Sequence, residues 1–155
     1  MQFLTLLTLG VAVVCTSSCA NKSGASMGLT SATAPVIAML KDDLFVGTTV
    51  GYMDRTGTID ITSTLDSTIR CIGSFHYTGS NNGKGEMQCN DGVKAVFTFN
   101  QLTMLSGFGY GSSDRGVVGF TYGLTPDEAT QYLKFPKGKT IRRTLPNQKI
   151  QLTDI

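Results

Sequence analysis

The sequence has no tryptophan, one histidine, four prolines and four cysteines in 155 residues, and only 15% of it is charged. Each scarcity removes a class of chemistry. A single histidine, His76, excludes most histidine-built metal sites and leaves any Ser–His–acid arrangement dependent on that one residue. Its neighbours in the register proposed below are Tyr77 and Lys84, so it reads as an ordinary strand residue. Setting aside Cys15 and Cys19 with the N-terminal segment leaves no zinc-ligand spacing. Asp60, Asp66, Glu86, Asp91 and Asp114 fall at turns or exposed strand positions and do not form a facing carboxylate pair. Ser106 lies in Leu105-Ser106-Gly107, which is not a nucleophile elbow. The net charge is +2, too small to direct the whole chain to one kind of partner. No catalytic residue, metal or cofactor is expected, and the chain reads as a non-enzyme.

Long apolar runs are missing too. Phe3 to Val14 is apolar but too short for a comfortable membrane span. Small residues follow it, as in a secretory signal, although no Lys or Arg precedes Lys22. Thr16-Ser17-Ser18-Cys19 resembles a bacterial lipobox, with Thr16 where Leu is usual. That resemblance implies a signal peptide over 1–18 and lipidation of Cys19, with diacylglycerol and palmitate, as the new N-terminus. The alternative is ordinary cleavage after Ala20, with Ser18 and Ala20 as the small pair. Residues 19–35 are small and polar and read as a flexible tether. The implied location is the cell envelope, anchored to a membrane by the N-terminal lipid. Ala20 is not acidic, which favours the outer membrane in a two-membrane bacterium.

What the chain has is alternation. Ile69, Cys71, Gly73, Phe75 and Tyr77 share one parity, and Val93, Ala95, Phe97 and Phe99 repeat the pattern. A period of two puts alternate residues on opposite faces of a strand. Thr78 to Gly83 and Asn90-Asp91-Gly92 are hairpin turns by composition. Closing the first turn sets Tyr77 opposite Gly83, Phe75 opposite Gly85, Gly73 opposite Met87 and Cys71 opposite Cys89. Directly opposed cysteines come close enough to bond, and a Cys71–Cys89 disulfide is expected. Upstream, Leu44 to Met53 reads as a first strand, and Thr58 to Thr62 as a second with Ile59 and Ile61 inward. The four prolines (Pro35, Pro126, Pro136 and Pro146) are expected to flank the sheet.

Gly107-Phe108-Gly109-Tyr110-Gly111 puts glycine on one face and aromatics on the other. Such a face serves a bending or closing sheet, or a smooth trough for a ligand. Thr125-Pro126-Asp127-Glu128 is a helix start, with Thr as N-cap and Pro at N1, and the helix is expected to reach about Leu133. Ala129, Tyr132 and Leu133 would form its apolar face. Residues 134–155 form a basic tail (Lys134, Lys137, Lys139, Arg142, Arg143 and Lys149 against Asp154). It reads as a solvated extension, or as a contact for anionic headgroups or an acidic envelope polymer. Its only aromatic is Phe135, so nucleic acid is not expected.

Two resemblances follow from these residues. Cys71, Gly83 and Gly85, Cys89 with Asp91-Gly92, Phe97 and Phe99, then Gly107, Gly109 and Gly111, resemble small exported bacterial lipoproteins. That resemblance speaks to fold more than to activity. Ser106-Gly107-Phe108-Gly109-Tyr110 is similar to the Ser-Gly-x-x-Tyr string that membrane-bound bacterial lysozyme inhibitors present from a loop. It implies partner binding through Ser106 and Tyr110, although the downstream Trp of that family is absent and the string here looks like strand.

The expectation is an all-β domain over 36–133. It is an antiparallel meander of about seven strands, curled into a small barrel or sandwich with one short C-terminal helix. The leading function is a lipid-anchored envelope protein with a structural or binding role, its partner an envelope polymer or protein. The alternatives are a small-protein inhibitor of lysozyme or another envelope-attacking enzyme, and a hydrophobic-ligand carrier. The carrier requires a cavity lined by residues such as Phe75, Phe97 and Phe99.

Overall fold

The computed structural model of the chain describes residues 26–28, 30–144 and 149–155. The proposed signal peptide, Cys19, tether residues 20–25 and 29, and Pro146 therefore lie outside the described residues. The main sheet holds β1 (Ser26–Met27), β2 (Ser31–Leu40), β3 (Asp43–Tyr52), β4 (Thr56–Ser63), β5 (Arg70–Tyr77), β6 (Asn82–Cys89), β7 (Lys94–Thr103), β8 (Ser106–Ser113) and β9 (Gly116–Tyr122). Each strand pairs antiparallel with the next, and β9 returns to β2, with Val36 opposite Tyr122 and Leu40 opposite Val118. Strands β2 to β9 thus close into an up-and-down barrel of eight strands. Closure removes the free edges that an open meander would expose.

The expected register holds. Tyr77 faces Gly83, Phe75 faces Gly85, Gly73 faces Met87, and Cys71 faces Cys89, with the two sulfurs bonded. Ile59 and Ile61 point inward and are buried. Large and small inward residues alternate from strand to strand. One row runs Tyr77, Gly83, Phe99, Gly109, Phe120, Ala38 and Phe45; another runs Gly57, Phe75, Gly85, Phe97, Gly111 and Val118. A ring on one strand fills the space left by a glycine on the next, which lets eight strands close tightly around a packed centre. The glycines of β8 therefore belong to the closing-sheet reading. A Cβ at Gly109 would lie 2.5 Å from Phe120 Cε1, and one at Gly111 would lie 2.7 Å from Phe97 Cα. Outside, Ser74, His76, Lys84, Glu86, Gln88 and Thr98 are exposed. The inside is apolar, and the exposed wall mixes these polar residues with Ile72, Val96 and Val117.

Four expectations need correction. Strand β2 begins at Ser31, inside the supposed tether, and brings the expected meander of about seven strands to a closed barrel of eight. Its inward Ala34, Val36, Ala38 and Leu40 and outward Ile37 and Met39 are all buried. A strand covered on both faces loses its alternation and does not announce itself. Pro35 consequently lies within β2 and does not flank the sheet. Its carbonyl accepts from Gly123 N at 2.9 Å, so its missing N–H falls on the same edge, between the segments paired with β1 and β9. No ladder bond is lost there.

The helix, α1 (Pro126–Ala129), is one turn and stops short of Leu133. Its start is as expected: Thr125 N donates to Glu128 Oε2 at 2.8 Å in a reciprocal capping box. Thr130 Oγ1 then donates to Asp127 O at 2.6 Å, offering the last turn a side-chain partner in place of the helical ladder.

The basic tail is a hairpin. Strands β10 (Lys139–Thr144) and β11 (Lys149–Asp154) pair across Ile141 and Leu152. Ile141 is 3% exposed. It packs with Ala129 and Leu133 on Ile37, Met39 and Leu44, supported by Ile150, Leu152 and Phe135. This second core covers the outer face of β2 and β3.

Candidate functional site

The two ends of the barrel differ. At the closed end the Cys71–Cys89 disulfide joins Val93, Ile61 and Leu40 in the core, and the turns carry Lys41, Asp42, Leu65, Asp66, Asp91, Asp114 and Arg115. At the other end, the mouth, the turns carry Met53 and Met104. Here the interior opens into an apolar cavity of about 60 Å³ lined by Phe75, Tyr77, Phe97, Phe99, Phe120 and Tyr122, with Ala32, Ala34 and Thr49 on the β2–β3 side.

Hairpin register delivers these rings to one place. Phe75 and Phe99 meet edge to face at 5.2 Å between centroids, Tyr77 and Phe99 at 5.0 Å, and Phe97 and Phe120 at 5.0 Å. Edge-to-face contacts add specificity to burial and hold the rings in fixed orientations. An apolar cavity of about 150 Å³ accepts benzene. The mouth cavity is smaller, so it admits a slender apolar group whose remainder would emerge through the opening.

Two phenols supply the polarity. The Tyr122 hydroxyl is buried without a hydrogen-bond partner; the Tyr77 phenol approaches it without closing a bond of good geometry. Burial pushes both hydroxyls above the usual phenol range, Tyr122 far above it. Both are therefore neutral at physiological pH. Arg55 lies 5.2 Å above the Tyr77 ring and donates to the Gly79 carbonyl, so the nearest cation is held at the rim, outside the cavity. Thr49 Oγ1 is satisfied by Thr58 O at 2.8 Å.

The other sequence-derived residues are dispersed. Ser106 is buried, its hydroxyl 2.7 Å from Thr103 Oγ1. Tyr110 is 41% exposed on the outer wall and donates to the Tyr132 carbonyl at 2.9 Å. Both lie on β8, four residues apart, so Ser-Gly-x-x-Tyr is here a barrel strand. His76 is exposed opposite Lys84, as the register required, over a broad open depression of the outer wall with Ser74, Glu86, Val96 and Tyr110. Sequence reasoning did not single out Tyr122, Met104, Leu105 or Ala34. The parity of β9 would have placed Tyr122 with Phe120 on the inward face, but strand closure was needed to bring them to Tyr77.

This arrangement defines a class, a small disulfide-pinned antiparallel barrel with an apolar mouth. Neither a family model, nor a curated protein, nor a solved structure matches the chain.

Proposed function

We propose that this chain is a lipid-anchored protein of the cell envelope that acts by binding, and that its ligand is a slender apolar molecule seated in the barrel mouth. The observation that carries the binding role is the cavity lined by Phe75, Phe97 and Phe99, the feature a hydrophobic-ligand carrier requires. An eight-stranded barrel encloses an interior suited to side chains or one small ligand, and here an apolar cavity opens within it. The anchor rests on the lipobox-like Thr16-Ser17-Ser18-Cys19. The inhibitor reading rests on the Ser106 to Tyr110 string alone.

The test is a titration of the full chain with a slender apolar fluorophore, the linear polyene cis-parinaric acid, followed by displacement with saturated fatty acids. Ala34, buried at the cavity wall, is the position to fill. Saturable binding that Ala34→Leu removes supports the proposal. Binding unchanged by Ala34→Leu, or no binding, would contradict it.

A further inference from the structure

The cavity lining is apolar apart from three hydroxyls, on Thr49, Tyr77 and Tyr122. Thr49 already donates to the Thr58 carbonyl. Of the buried unpartnered oxygens among the described residues, that of Tyr122 is the one in this lining. The fold holds it there. Tyr122 stands opposite Gly107, and its phenol end occupies the space that a Cβ on Gly107 would need. A side chain at that position would push the ring away, whereas bare backbone lets the hydroxyl reach over the inner face of β8.

Strand register sets this hydroxyl above an apolar floor. Phe75 lies two residues deeper than Tyr77 on β5, and Phe120 two residues deeper than Tyr122 on β9. Each step is about 7 Å towards the closed end at the usual strand rise. Phe97 is level with Phe75 across Gly85. An apolar chain end therefore meets rings, and the part of the ligand nearer the mouth meets the phenols. A buried hydroxyl without a partner is costly, and a ligand group that takes its proton recovers that cost. A phenol is acidic and donates better than it accepts, so the complementary group is an acceptor. Among the described residues of the lining none is cationic, and Arg55 is held at the rim by the Gly79 carbonyl and the Tyr77 ring. The burial that keeps both phenols protonated also opposes bringing in an anion. We infer that the ligand is a slender lipid with an uncharged carbonyl, of the acyl-ester or ketone class. Its chain end lies against Phe75, Phe97 and Phe120, and its carbonyl oxygen accepts the Tyr122 hydroxyl. This assignment rests on the binding role proposed for the cavity.

The test compares ligands of one chain length that differ in their polar group. The full chain and its Tyr122→Phe variant are each loaded with cis-parinaric acid, whose affinity is measured for both. The probe is then displaced with decane, methyl octanoate or nonanoate. With the unsubstituted chain the ester binds several-fold more tightly than decane or nonanoate. Tyr122→Phe weakens the ester about fivefold, the net worth of one neutral hydrogen bond, and leaves decane unchanged or tighter. An ester and an alkane that respond alike to Tyr122→Phe would overturn the carbonyl contact and leave the cavity a purely apolar site. Nonanoate that binds as tightly as the ester, and loses the same factor in the variant, would overturn the uncharged class. Binding of neither the probe nor any of the three compounds would remove the binding role itself.

Discussion

Phe99 stands directly opposite Gly83, and a Cβ placed on that glycine would lie 2.5 Å from Phe99 Cε1. Gly109 faces the same ring from the other side. The barrel closes because each inward ring has a bare neighbour to lie over. Gly83→Ala and Gly109→Ala should therefore destabilise the fold by about 1–3 kcal/mol, the usual cost of overpacking a filled core. Urea unfolding of each variant checks this. Gly92→Ala meets nothing within 4 Å, but its φ of +92° makes it a test of backbone strain instead.

The disulfide is the staple of the closed end. Cys71 and Cys89 are buried, with a sequence separation of 18. Closing a loop of that size restricts the unfolded chain by about 3 kcal/mol. The Cys71→Ala/Cys89→Ala double variant should lower the urea midpoint correspondingly while leaving the strand content, measured by far-ultraviolet circular dichroism, unchanged.

Asp43 gives a pH dependence of known sign. Burial raises its carboxyl above the ordinary range, outweighing the Ser63 hydroxyl that donates to Oδ2 at 2.8 Å. Its Oδ1 is buried without a partner. A raised carboxyl holds its proton longer in the folded chain than in the unfolded one, so stability falls as pH rises through the window above the ordinary carboxylate range. Asp43→Asn should raise the urea midpoint near neutral pH and leave it little changed in acid. Asp60 acts in the opposite sense, because Arg70 holds it below its ordinary range. Its stabilisation is present above the ordinary carboxylate range and is lost as pH falls through the lowered value. That pair is exposed, so its effect is small.

The Tyr122 hydroxyl offers a test inside the mouth. Because it is buried without a partner, Tyr122→Phe removes a desolvated polar group and should hold or raise Tm. Affinity for an apolar fluorophore should rise with it. A loss of more than about 1 kcal/mol would show that a hydrogen bond had been removed.

Much of β4 to β7 was legible because each of those strands has one apolar and one polar face. Period-two alternation and turn composition then sufficed to set the register down to Cys71 and Cys89. Strand β2 was not legible, since Ser31–Leu40 is covered inside by the barrel and outside by α1 and the C-terminal hairpin. The hairpin itself was hidden by its charge. Lys139, Arg142, Arg143 and Lys149 drew the eye to a solvated tail, while Ile141, Ile150 and Leu152 carried a short alternation that marks a covered face. The site was only half visible. Phe75, Phe97 and Phe99 could be named in advance as the lining of a cavity, but Tyr122, Met104 and Ala34 reach it only through the β9–β2 closure.

One measurement locates the ligand directly. Methionine methyl spectra of the full chain, recorded during titration with a slender fatty acid, separate three environments. Met104 lines the cavity, Met87 lies in the core of the barrel away from that lining, and Met39 sits in the outer core under the hairpin. A barrel that binds at its mouth predicts that Met104 shifts progressively and saturably while Met39 stays still. Movement of Met39 without Met104, or no movement at any methyl, would contradict the proposed function.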